Sequence, residues 1–165
     1  MSTLLVRITL LVVCYHLPVE SSYNYYNFYR HYAPSTVAFT VSKNTNQEFS
    51  ETGNVEFDHV LTNVGQAFQS GKNEIKIPTT GLYFFGYFAP GEDAGKGNVD
   101  LVKNGEVMLS SMGVNGGKVA VLFVQRGDII TLQARKGSLL VSTEDSQKVA
   151  FTGYLIKRGS FDNKY

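Results

Sequence analysis

The chain offers few side chains from which to build a catalytic centre. Cys14 is its only cysteine, and its histidines are His16, His31 and His59. His59 follows Asp58, which makes an acid-base pair in principle. A nucleophilic or general-base constellation also needs a third, orienting group, and none is apparent, so His59 reads as an edge histidine bonded to its surroundings. No Gly-x-Ser-x-Gly elbow occurs, and histidines this far apart do not suit zinc. Gly91-Glu-Asp-Ala-Gly-Lys-Gly97 is one residue short of a phosphate loop and carries Gly97 where a magnesium-holding Ser or Thr would stand. The expectation is no catalytic residue, no metal and no cofactor: not an enzyme.

That glycine-rich segment has a better claim as a contact surface. Glu92, Asp93 and Lys96 sit on a loop between two strands, where a β-sandwich displays its variable surface. Asn115 and Lys118 are candidates to join them at the same end. The alternative is a plain solvated hairpin, since loops are polar in any case.

The elements that would position these groups are all of one kind. Gly81-Leu-Tyr-Phe-Phe-Gly-Tyr87, continued by Phe88, is an aromatic run bounded by glycine, which disfavours a helix and suits a pleated strand. Both faces of that strand carry rings, so one can fill a core while the other calls for a second apolar partner. Further short β-type runs lie at Thr36 to Val41, Val55 to Phe57, His59 to Leu61, Glu74 to Ile77, Val99 to Val102, Glu106 to Leu109, Val119 to Val124, Ile129 to Ala134 and Val149 to Ile156. Asn104-Gly105 is a strong hairpin signal and Gly127-Asp128 a tight turn. Many short strands at close spacing argue for a sandwich or barrel. Val119 to Val124 is apolar at every position, the pattern of a strand covered on both sides.

The ends differ from this pattern. Residues 1–21 combine Arg7, an apolar run from Ile8 to Tyr15 and small residues at Ser21, the signature of a secretory signal peptide too short to span a bilayer with ease. Cys14 lies within it, so the secreted remainder would hold no disulfide and would lean on its core or on oligomerisation. Removing Arg7 and Glu20 leaves the formal net charge at +1, which gives no electrostatic case for nucleic acid or an anionic membrane. With no later stretch long and apolar enough for a membrane helix, no membrane insertion is expected. Residues 22–35 form an arm rich in Tyr and Asn, readable as a disordered tail, a strap on a neighbouring subunit or an adhesive segment. Residues 158–165 form a short C-terminal tail.

Taken in order, Val37-Ala-Phe-Thr, Phe57-Asp58, Leu61-Thr-Asn-Val-Gly65, Gly81-Leu-Tyr-Phe-Phe, Leu101-Val-Lys-Asn-Gly105, Gly127-Asp128 and Phe151-Thr-Gly-Tyr-Leu155 resemble the globular-head domain of the complement C1q family over about residues 36–157. The resemblance implies a jelly-roll sandwich of about ten antiparallel strands, related to tumour necrosis factor and assembled as a compact homotrimer. It implies that Phe39, Phe57, Tyr83, Phe85 and Phe151 serve the core and the region of the threefold contact. Asn63, Gly65, Gly81, Gly127, Asp128 and Gly153 would be scaffold positions. Relatives that bind calcium at the trimer apex use acidic residues in the loop after the strand matching 106–110; here Ser111 to Lys118 has no carboxylate, and calcium wants several oxygen ligands. Residues 1–35 hold no Gly-x-y repeat, so no collagen stalk is expected before the domain. The implied role is recognition of extracellular carbohydrate or protein ligands, such as microbial surface glycans, in innate defence. Alternatives are a structural component of matrix, mucus or mineralised tissue, or a receptor ligand.

Overall fold

A computed structural model describes residues 34–142 and 148–159. The expected signal peptide and residues 22–33 of the arm lie outside them, as does the tail beyond Gly159. Among the described residues the fold is entirely β: thirteen antiparallel strands in a jelly roll, nine of them longer than two residues. Sheet 1 runs in the order β10 (Asn115–Val124), β7 (Gly81–Pro90), β13 (Val149–Arg158), β1 (Ala38–Lys43), β4 (His59–Val64). Sheet 2 runs β5 (Phe68–Gln69), β6 (Glu74–Lys76), β11 (Ile129–Ala134), β8 (Val99–Lys103), β9 (Glu106–Ser111), with β3 (Gly53–Asn54) added to β11. β2 (Gln47–Glu48) and β12 (Leu139–Leu140) form a small ribbon.

Alternation along β7 builds the core. Tyr83, Phe85, Tyr87 and Ala89 point between the sheets and are buried. Phe39 of β1 and Phe151 of β13 meet them, with ring centroids 4.9 Å apart at 72°, and Phe57 packs edge-on to Phe68. Buried hydroxyls are satisfied: Tyr83 donates to the Thr79 carbonyl at 2.8 Å and Tyr87 to that of Val99 at 3.0 Å. Burial pushes the Tyr83 phenol up to about 12. Gly153 is required by close approach: a Cβ there would stand 2.6 Å from the Phe39 ring and 2.9 Å from that of Phe85.

Several element boundaries depart from expectation, three of them with consequences for the surface. Residues 55–57 lie outside the strands: Val55 N still donates to Leu132 O at 2.9 Å, but side chains capture the next two amides, Gln47 Oε1 accepting from Glu56 N and Asn73 Oδ1 from Phe57 N. The first strand is Ala38–Lys43, two residues later than the β-branched run suggested. β10 begins at Asn115, so the segment from Ser111 to Lys118 is mostly strand, with only Met112 to Val114 between β9 and β10. Gly116 and Gly117, expected within that loop, lie in β10 against the Ala89 and Tyr87 carbonyls.

The hairpin signal is borne out in detail. Asn104 and Gly105 have φ of 51° and 86°, the doubly left-handed turn that two-residue hairpins prefer. Asp128 then ties this turn to the next. Asn104 Nδ2 donates to Asp128 Oδ1 at 2.9 Å, Gln125 N to Oδ2 at 2.9 Å, and Ile129 N to Asn104 Oδ1 at 2.8 Å.

Candidate interaction surfaces

The outward face of sheet 1 is read off its register. Val64, Ala38, Tyr154, Phe84 and Val121 are mutual neighbours across all five strands and form one apolar row. The Phe84 and Tyr154 rings stack within it at 5.1 Å and 24°. Beside it runs a row of Thr62, Thr40, Thr152, Gly86 and Val119, in which the Thr40 and Thr152 hydroxyls bond each other at 2.9 Å. Phe88 and Ala150 lie in the row after that. Val119 is 67% exposed, Val121 53% and Tyr154 47%. A contiguous apolar face of this kind marks an interaction surface. Val107 and Met108 are exposed too, on β9 at the edge of sheet 2.

The scaffold residues inferred from resemblance lie elsewhere. Phe39, Phe57, Tyr83, Phe85 and Phe151 are all buried between the sheets, so the outward contact face belongs to the residues alternating with them. Val119 to Val124 is covered on one side only, with Val119 and Val121 open. Asn63 clamps the β4–β5 turn, accepting from Phe68 N and donating to Phe68 O. Gly65 and Gly127 hold left-handed turns at φ 80° and 96°, and Gly81 starts β7 against the Lys157 carbonyl. Period-two alternation marks Phe84 in β7 and Tyr154 in β13 as outward positions, while their joining with Val64 of β4 into one row is given by the register alone.

The candidate contact residues divide by location. Glu92, Asp93 and Lys96 sit on the loop after β7, and three segments converge there: Gly91 N donates to Val114 O, Glu92 N to Leu139 O, and Leu139 N to Lys96 O, at 3.0–3.1 Å. Gly97 packs its Cα directly on the Gly113 carbonyl and on Gly91. Glycine alone permits that approach, so the loop is pinned to its neighbours. Asn115 and Lys118 are strand residues of β10, with Lys118 exposed and paired with Tyr87. Asn115 therefore borders the loop cluster, and Lys118 lies further along the sheet edge.

The chemistry of other polar groups is structural. The Asp58 carboxylate accepts from Asn44 N at 3.0 and 3.2 Å and from the Thr45 hydroxyl at 3.4 Å, which commits it to the turn after β1. Asp100 takes a bidentate bond from Arg135 at 2.8 Å. Its burial favours protonation, yet hydrogen bonds from Arg135 and Ser110 outweigh this and hold the carboxyl below its usual value. Asp128 behaves alike: burial is outweighed by bonds from Asn104 and Gln125 N and by the Lys103 charge. Among the described residues no group of three or more His, Cys, Asp or Glu stands close enough to hold a metal ion. Met112 to Val114, between β9 and β10, carries no carboxylate.

The C1q domain family model matches residues 38–156, the whole sandwich from β1 to β13. The chain belongs to the C1q-domain family. It is 26% identical to a complement C1q subcomponent of Bos taurus over 134 residues, covering 75% of this chain and 53% of that one. With the corresponding Homo sapiens subcomponent the figures are 29% over 137 residues, 75% and 51%. The chain thus spans about half the length of these curated relatives. Among solved structures, the globular domain of zebrafish complement 1qA matches with TM-score 0.61 at 21% identity, covering 74% of this chain and 99% of that one. Eiger TNF from S. frugiperda matches at 0.59 and 11%, covering 79% and 97%, and murine APRIL at 0.57 and 13%, covering 74% and 100%. At these identities the likeness concerns the fold: the C1q domain shares its jelly roll with tumour-necrosis-factor-like proteins.

Proposed function

We propose that this C1q-domain protein is a secreted, non-enzymatic recognition protein that works as a homotrimer. The outward face of sheet 1 is the self-association surface, and each copy contributes one loop end to a shared array. The observation that carries this reading is the unbroken apolar row from Val64 through the Phe84–Tyr154 stack to Val121. A lone sandwich gains nothing from leaving such a face to water, whereas a neighbour would remove it at about 25 cal/mol per Å². Loops repeated by symmetry then add weak contacts through avidity. The ligands on this reading are extracellular patterns such as microbial surface glycans, met in innate defence.

The test takes purified protein without residues 1–21 and incubates it with bacterial polysaccharides and whole cells. Saturable binding to at least one is expected. Absence of saturable binding to all of them overturns the recognition role.

A further inference from the structure

The loop end carries a pairing of chemistries that polysaccharide binding does not use. Met112 is 71% exposed and Val114 43%, on the short connection between β9 and β10. The backbone bond from Gly91 N to Val114 O, 3.1 Å, places this connection directly against the loop that bears Glu92 and Asp93, both exposed. Asp93 Oδ1 accepts from Gly95 N at 2.8 Å, which fixes the carboxylate on the loop. Two lysines lie on these segments: Lys96, half-buried on the same loop, and Lys136, paired with Glu51 at 3.0 Å. The connection is thus apolar, and the loop bonded to it carries two exposed carboxylates against one half-buried lysine.

None of residues 91–98, 112–114 or 136–142 is aromatic, so these segments do not offer a ring to stack on the C–H face of a pyranose. An unbranched thioether adapts its shape to aliphatic partners, and carboxylates beside it make charge-assisted bonds to ammonium or guanidinium groups.

We propose that the loop end binds a protein ligand, through a segment that sets a basic side chain beside an aliphatic one. This rests on the recognition reading above and names the ligand class for it. Met112 and Val114 take the aliphatic group, while Glu92 and Asp93 take the cation. Exposed ion pairs alone are weak, so discrimination requires both features in one segment. Repetition in the assembly raises the working affinity.

Fluorescence anisotropy of the protein without residues 1–21 tests this with three short labelled peptides. One alternates leucine with lysine, one leucine with glutamate, and one serine with lysine. The leucine–lysine peptide is expected to bind saturably and the other two not. Met112→Ser with Val114→Ser, and separately Glu92→Gln with Asp93→Asn, should each weaken binding by about tenfold or more. The proposal is overturned if the leucine–lysine peptide does not saturate, or if both double variants bind it as the wild type does. It is equally overturned if Met112→Ser with Val114→Ser lowers the assembly mass in light scattering, since the connection would then belong to the self-contact. If the peptide fails while whole bacteria still bind, only the ligand class falls. If both fail, the recognition reading falls with it.

Discussion

The two faces of sheet 1 are made by alternate residues of the same strands, yet they do different work. Inward, Tyr83, Phe85, Phe39 and Phe151 are closed off completely and lock the sandwich. Outward, Tyr154, Val119 and Val121 have comparable apolar character but are exposed, and Phe84 beside them is only half-buried. An inward side chain is thus held by the chain's own fold, while an outward one, on the proposed reading, meets a second copy. On that reading one aromatic strand serves two equilibria, and substitutions one position apart should separate them.

The sharpest break comes from the inward face. Phe151→Ala removes a ring packed against Phe39, Phe57 and Phe85 and should cost about 3–5 kcal/mol of unfolding free energy, read by urea denaturation. Gly153→Ala adds a single methyl against the Phe39 and Phe85 rings. It should cost about 1–3 kcal/mol by overpacking, seen as a lowered denaturation midpoint.

Acid sharpens the comparison from outside the core. The Asp100 and Asp128 carboxyls are held below their usual 3.8 in the folded chain. A depressed folded value gives stability that is complete above the unfolded value and is lost as pH falls through the folded one. The melting temperature should accordingly drop as pH goes from about 5 to about 3. Asp128→Asn should be less stable at neutral pH, by roughly 1–3 kcal/mol for a lost charged acceptor, and should show a shallower drop. An equally steep drop in the variant would assign the acid sensitivity elsewhere.

How much was legible in the sequence follows the same division. Seven spaced motifs specified the fold, because turns such as Asn104-Gly105 and buried rings leave local marks. The surplus of rings on the aromatic strand also pointed to a second apolar contact. Which residues form that contact was not legible from the resemblance, since the positions it carries over are the inward ones. Only the register, Val64 to Ala38 to Tyr154 to Phe84 to Val121, reveals the row, because those residues lie on five strands far apart in the chain. The loop cluster was half legible. Glu92, Asp93 and Lys96 stood out by charge, whereas Met112 and Val114 joined them only through backbone contacts between distant segments.

The smallest expected effect on folding belongs to the most informative variant. Val121→Lys lies on the open face and should leave the unfolding free energy within about 0.5 kcal/mol of wild type. Light scattering behind size exclusion, run on both proteins at micromolar concentration, is the direct test of the central claim. The account predicts a trimer for the wild type and a folded monomer for Val121→Lys. A stable wild-type monomer, or a variant that remains trimeric, would contradict it.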